Sequence, residues 1–229
     1  MRPCFLFAME SEAEPMLQKA QLLRTEQIGF SKCHFCSYEG KEFYVCVSGI
    51  GKVLASAAVT GAALLHPEID AFVNLGIGGS LDASKAPLLC AVVATSFVQH
   101  DMDTTFFGDV PGYLNGLNRV KIDADNNLVG LLQDSCRDID TLFCEGIIAT
   151  GDRFISEENE KRRIKERFGC LLIDMETAAF AEACFVRGVP FACLRVVSDA
   201  VDHEKEYAQF KPIASERACL LGLRFLSRC

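Results

Sequence analysis

The sequence predicts an α/β fold in a single domain over residues 1–229, and three observations carry that expectation. Short apolar runs alternate with segments of helix-forming composition along the whole chain, the pattern of strands separated by helices. The stretch Leu171–Asp199 reads as a complete strand–helix–strand unit. A chain of 229 residues is long enough to bury one full core.

Cys4 to Ala8 reads as a first buried strand, and Glu10, Glu12 and Glu14 in ESEAEPMLQKAQLL suit the amino terminus of a helix running on to Leu23. Residues 28–47 alternate and centre on Glu39-Gly40, a hairpin signature. Val45–Ser48 leads into GIGKV, where Gly49 and Gly51 precede an Ala-rich helix from Val53 to Leu65. The GxxxxGK[ST] spacing of a nucleoside-triphosphate loop is missing. Ala71–Leu75 is a strand running into GIGGSL, read as a second glycine turn where backbone could approach a ligand closely.

Leu88–Phe97 is the next strand, and His100–Gly112 a loop carrying Phe106 and Phe107. His100, Asp101 and Asp103 in that loop are too few for a convincing divalent metal site. Asp125–Cys136 is helical in pattern, Cys144–Thr150 a strand ending in GDRFI, and Ser156–Phe168 a charged helix. Phe154, just past a strand end, could be core or could stack on a flat ligand. In the Leu171–Asp199 unit the two strands are expected to run parallel, so that Glu176 and Asp199 face one crevice at their carboxyl ends, with Arg195 close by. A polar loop, DAVDHEKEYAQF, and a terminal helix over 212–227 complete the chain.

Composition narrows the function classes. A net charge of −8, with Lys and Arg dispersed except for a short run from Lys161 to Arg167, offers no basic surface for nucleic acid. No apolar run reaches the length of a membrane span, and MRPCFLFAMESE is too short for a secretory signal, so a soluble cytoplasmic protein is expected. Twelve cysteines without an export signal read as buried thiols, and the single CxxC, Cys33 to Cys36, lacks a second pair for zinc.

Seven motifs in order, AMESE, SGIGKV, NLGIGGSL, HDMD, TGDRFI, IDMETAA and RVVSDAVD, span nearly the whole chain. In this the sequence resembles the 5′-methylthioadenosine/S-adenosylhomocysteine nucleosidases of the nucleoside phosphorylase and nucleosidase superfamily. The resemblance implies a three-layer αβα sandwich with a central mixed, twisted sheet. It implies an adenine nucleoside substrate whose N-glycosidic bond is hydrolysed, and neither metal nor organic cofactor. Asp199 would protonate adenine N7 with Ser198 beside it, Glu12 would activate water next to Arg195, and Glu176 would hold the ribose hydroxyls over Met175. Phe154 would stack on adenine, the main chain of Ile155 would read its edge, and Phe107 would be lent across a homodimer to the 5′ pocket.

Three departures bear on the 5′ substituent: Ile77 with Gly78 stands where many members have a hydroxyl residue in this turn, Asp174 where many have Glu, and the Phe107 loop is shorter than usual after Gly108. The chemistry asks for the same residue types, since an adenine anion leaves poorly unless N7 is protonated and the sugar becomes oxocarbenium-like. The carboxylates near the amino terminus would repel phosphate, which favours water as nucleophile over a phosphorylase reaction. A futalosine or aminodeoxyfutalosine hydrolase and a non-catalytic nucleoside-binding protein are the alternatives.

Overall fold

The computed structural model describes residues 1–200 and 203–229. Strand β1 (Pro3–Phe7) is buried throughout and is followed by helix α1 (Glu10–Lys19). The helix stops at Ala20 instead of continuing to Leu23, because Gln21–Ile28 forms an edge strand, β2, whose antiparallel pairing with β3 (Ser31–Tyr38) overrides a modest helical preference. β3 and β4 (Lys41–Val47) form the expected hairpin. Both residues of its two-residue turn have positive φ, 51° at Glu39 and 78° at Gly40, which matches the twist of the flanking strands.

Gly49 and Gly51, with φ of 90° and 99°, turn the chain into α2 (Lys52–Leu65). β5 (Ala71–Ser80) corrects the expected second glycine turn: GIGGS continues the strand, and all ten of its residues are buried. Its glycines serve close approach and not chain reversal. The remaining elements are β6 (Ala91–Gln99), short 3-10 turns at Thr105–Phe107 and Asn115–Leu117, β7 (Lys121–Asp123), α3 (Asn126–Asp138), β8 (Phe143–Thr150), α4 (Glu158–Phe168), β9 (Cys170–Asp174), α5 (Thr177–Arg187), β10 (Phe191–Asp199) and α6 (His203–Arg228). Asp125 caps α3, its Oδ1 accepting the N–H groups of Asn127 and Leu128 at 3.0 Å. The final helix begins nine residues before the expected Pro212, taking in most of the presumed polar loop; Val201 and Asp202 of that loop lie outside the described residues.

The strands join one mixed sheet in the order β10-β6-β8-β9-β5-β1-β4-β3-β2, with β7 on β6 and a further pairing of β10 to β5. That pairing closes β5, β10, β6, β8 and β9 into a ring. Helices α1, α3 and α6 bury their apolar faces on one side of the sheet, and α2 and α5 on the other.

The parallel Leu171–Asp199 unit needs correction as well. β9 and β10 are not neighbours: β5 lies between them, parallel to β10 and antiparallel to β9. Gly79 pairs with Asp199 on one side and Ile173 on the other, so the ring brings the ends of both strands together by curvature. Cys33 and Cys36, three apart on a strand, point into opposite cores, and all twelve cysteines are free thiols.

Candidate active site

At the end of the ring where β5, β9 and β10 finish lies a cavity of about 670 Å³. Glu12, Ile77, Gly78, Phe154, Ile155, Asp174, Met175, Glu176, Arg195, Ser198 and Asp199 all line it. They arrive from β5, β9 and β10, from two helix starts and from the loop between β8 and α4. Glu12 stands in the first turn of α1, Glu176 immediately precedes α5, and Arg195, Ser198 and Asp199 follow one another along β10.

Glu12 is fully buried, its Oε2 accepting the Met9 N–H at 3.0 Å and its Oε1 the Ile77 N–H at 3.1 Å. Burial raises its carboxyl pKa above the usual range, opposed by Arg195 and these two amides. Arg195, also buried, is the electrostatic centre. Its guanidinium lies 3.7 Å from Glu12, 3.0 Å from Asp174 and 3.4 Å from Glu176. Its Nη1 donates to the Ile77 carbonyl at 2.9 Å and its Nε to the Thr177 hydroxyl at 3.2 Å. Burial works against its charge, yet the surrounding anions outweigh burial and hold it firmly protonated. β5 must approach this cluster without a side chain: a Cβ on Gly76 would stand 2.5 Å from Glu12 Oε1 and 2.8 Å from Arg195 Nη1.

Asp174 is committed to the scaffold. Its Oδ1 accepts the Thr150 hydroxyl at 2.5 Å, and its Oδ2 the hydroxyl of Thr177. Glu176 is more open to the cavity, with the Gly51 N–H donated to its Oε1 at 3.0 Å. Its pKa is pushed up to about 7, first by burial, then by the charges of Asp174 and Glu12, against Arg195 and the Gly51 amide. Asp199 sits at the cavity's other side, its Oδ1 accepting the Ser198 hydroxyl at 2.8 Å. Phe154 is 55% exposed at the mouth, its ring edge-on to Tyr207 at 6.1 Å, whereas Ile155 is buried.

The Glu176 shift has a consequence for stability. A folded pKa near 7 against an ordinary 4.5 means that the contribution is complete below pH 4.5 and is lost as pH rises through 7. Glu176→Gln is therefore expected to stabilise the unliganded protein by about 2–3 kcal/mol above neutrality and to flatten its pH dependence. Urea unfolding of both proteins on either side of that window checks this; parallel pH profiles would show that the carboxyl is not strained.

Phe107 is the predicted residue that the chain does not bring to this cavity. It is 81% exposed on its 3-10 turn, beside Phe106. The acids of the same loop are engaged locally: Asp101 accepts from Lys52 Nζ at 2.7 Å and from the Asp152 amide at 2.9 Å, and Asp103 from the Thr105 amide at 2.9 Å. Among the described residues no group of three or more His, Cys, Asp and Glu side chains gathers as metal ligands.

Several neighbours of the cavity are missing from the sequence-based candidates, Tyr207 and Lys161 among them. Tyr207 lines it from α6, in the segment taken for a loop. Lys161 of α4 is buried behind Asp199, 3.6 Å from its Oδ2. The signal for Lys161 was present in the helical period that places it with Ile164 and Phe168 on the inward face.

A family profile described as Phosphorylase superfamily matches residues 4–227. The 5′-methylthioadenosine/S-adenosylhomocysteine nucleosidase of Bacillus pumilus is 33% identical over 235 residues, covering 100% of this chain and 99% of that protein. The solved S-adenosylhomocysteine nucleosidase of Streptococcus pyogenes, in complex with 5-methylthiotubericidin, superimposes with a TM-score of 0.91 at 29% identity, covering 100% of this chain and 97% of the other. The futalosine hydrolase of Helicobacter pylori gives a TM-score of 0.93 at 24% identity over 100% of this chain and 98% of its own, a likeness of fold. With the profile spanning the sheet and its helices and a relative aligned from end to end, the chain belongs to the phosphorylase superfamily, in its 5′-methylthioadenosine/S-adenosylhomocysteine nucleosidase family.

Proposed function

We propose that the chain hydrolyses the N-glycosidic bond of 5′-methylthioadenosine and S-adenosylhomocysteine, releasing adenine and the 5′-thioribose. The observation that carries the residue assignment is that Glu12, Glu176 and Asp199, distant in sequence, line one cavity of nucleoside size. Asp199 gives its proton to adenine N7 as the C1′–N9 bond breaks and the bonding electrons pass to the purine. The sugar gathers positive charge, which the carboxylates of Glu176 and Glu12 stabilise. Water attacks C1′ while Glu12 takes its proton, and exchange with solvent returns Asp199 and Glu12 to their starting forms.

Glu176 accepts hydrogen bonds from the ribose hydroxyls, Met175 packs on the sugar, and Phe154 and Ile155 hold the base. Arg195 favours the ionised forms of Glu12 and Glu176, working against the burial and mutual repulsion that raise the pKa of both carboxyls. The same pairing argues for water over phosphate. A phosphate nucleophile needs positive charge at the sugar, and here the guanidinium is already neutralised by Glu12, Asp174 and Glu176.

In this reading residues 1–229 act as one cytoplasmic domain and work as a homodimer. Exposed Phe106 and Phe107 support the dimer, since adjacent aromatics left in solvent suit a subunit contact; a monomer in sedimentation that still turns over substrate at the full rate would refute it.

Incubation with 5′-methylthioadenosine, S-adenosylhomocysteine and aminodeoxyfutalosine, with and without phosphate, tests the reaction. The expected result is adenine and free thioribose from the first two substrates, independent of phosphate. A phosphate-dependent sugar 1-phosphate product, or turnover of aminodeoxyfutalosine alone, would overturn it.

A further inference from the structure

Helix α4 buries Lys161, Ile164 and Phe168 on its inward face, and of these three only Lys161 is charged. A lysine on a buried stripe costs desolvation that an apolar residue would avoid, so its presence there calls for an anionic partner. The partner is Asp199: Lys161 Nζ lies 3.6 Å from its Oδ2, with the two side chains only 4% and 3% exposed. Gly79 of β5 lies against both: a Cβ there would crowd the Asp199 oxygen at 3.0 Å and stand at ordinary contact distance, 3.5 Å, from the ammonium nitrogen. Lys161 does not line the cavity itself; Asp199 stands between it and the space where a base would sit.

We propose that Lys161 is a positioning residue for proton donation: its ammonium stabilises the carboxylate that Asp199 becomes when the proton leaves for the purine. This rests on the reading of Asp199 as the general acid. The ammonium faces the negative charge left on Asp199 after donation and holds the Oδ2 side of the carboxyl, while Ser198 holds Oδ1.

Other charged groups near the pair come from several elements. Glu158 lies one turn earlier on α4, and Glu206 on α6 acts on Lys161 as well while accepting the Ala200 amide at 2.6 Å. Tyr207 of α6 faces Asp199, Glu12 and Glu176 together, and Arg195 answers the latter two from β10. Burial draws the Lys161 pKa below its ordinary value, with Asp199, Glu158 and Glu206 opposing the change. The ammonium is thus poorly solvated and depends on these anions.

The test is the pH profile of kcat/KM with 5′-methylthioadenosine for wild type, Lys161→Met, Lys161→Gln, Lys161→Arg and Asp199→Asn. Both neutral variants are expected to move the alkaline limb to higher pH by about 1 to 3 units. Their plateau kcat should fall about tenfold, with KM changed less than about twofold. Lys161→Arg should return the limb to the wild-type position. Two neutral substitutions guard against one of them failing to fold. If both fold and their alkaline limbs coincide with that of wild type while Asp199→Asn is inactive, the inference about Lys161 is wrong and the acid assignment stands. If Asp199→Asn turns over normally, the acid assignment itself has failed.

Discussion

Asp199→Asn is expected to lower kcat by about 10³-fold while leaving KM near its wild-type value. Asparagine keeps the shape of the side chain and an oxygen for the Ser198 hydroxyl, which bonds Asp199 Oδ1 at 2.8 Å, so the walls of the cavity should persist. What is lost is the transferable proton. An amide cannot supply one, and the adenine must then leave as a poorly stabilised anion or wait for a proton from solvent. Single-turnover measurements of adenine release, together with binding of a non-hydrolysable analogue, separate this from a folding defect. Turnover within a few-fold of wild type would show that another group delivers the proton.

Removing the guanidinium should be felt most in stability. Arg195→Met keeps much of the aliphatic volume but leaves the carboxylates of Glu12, Asp174 and Glu176 buried together without their shared cation. Breaking a buried ion pair from one side costs about 3–5 kcal/mol, which for a chain of this size is a fall in Tm of about 10 °C. The loss should be largest at alkaline pH and smaller in acid, where protonation relieves the repulsion; Glu176, with a pKa pushed up to about 7, is expected to be among the first to protonate. Thermal unfolding of wild type and variant across that range checks it. An Arg195→Met protein as stable as wild type at alkaline pH would mean that the carboxylates escape their mutual field by another route.

Much of this site was legible because its chemistry is local in sequence. Carboxylates beside strand ends, as at Glu176 and Asp199, announce themselves by type and place, whereas Glu12 is one of three acids in its helical turn and only the family resemblance singles it out. What the sequence hid is non-local. GIGGS looks like a turn by composition, yet it continues β5 in pairing with β10, and Gly76, Gly78 and Gly79 are glycines because Glu12, Arg195, Leu172 and Asp199 crowd the positions where side chains would be. The first three residues of β2, Gln21 to Leu23, look like a continuation of the helix because the pairing of β2 with β3 is a tertiary fact. β9 and β10 looked like parallel neighbours because strand order does not follow from a strand–helix–strand pattern when a third strand can enter between them. Lys161 was lost in the run KRRIK, where four of five residues are basic; only its phase relative to Ile164 and Phe168 separates it from the solvated charges around it. Phe107 was named, but one chain alone gives it nothing to cover.

The five strands that close on themselves leave no free margin among them at which the sheet could begin to unzip. Asp199, Arg195 and the Ile77–Gly79 backbone are mounted on this hoop, whereas the exposed outer margin of the sheet belongs to β2, far along the strand order. Fraying there need not disturb the carboxylate on β10, so the molecule can tolerate a loose rim while its chemistry stays in register.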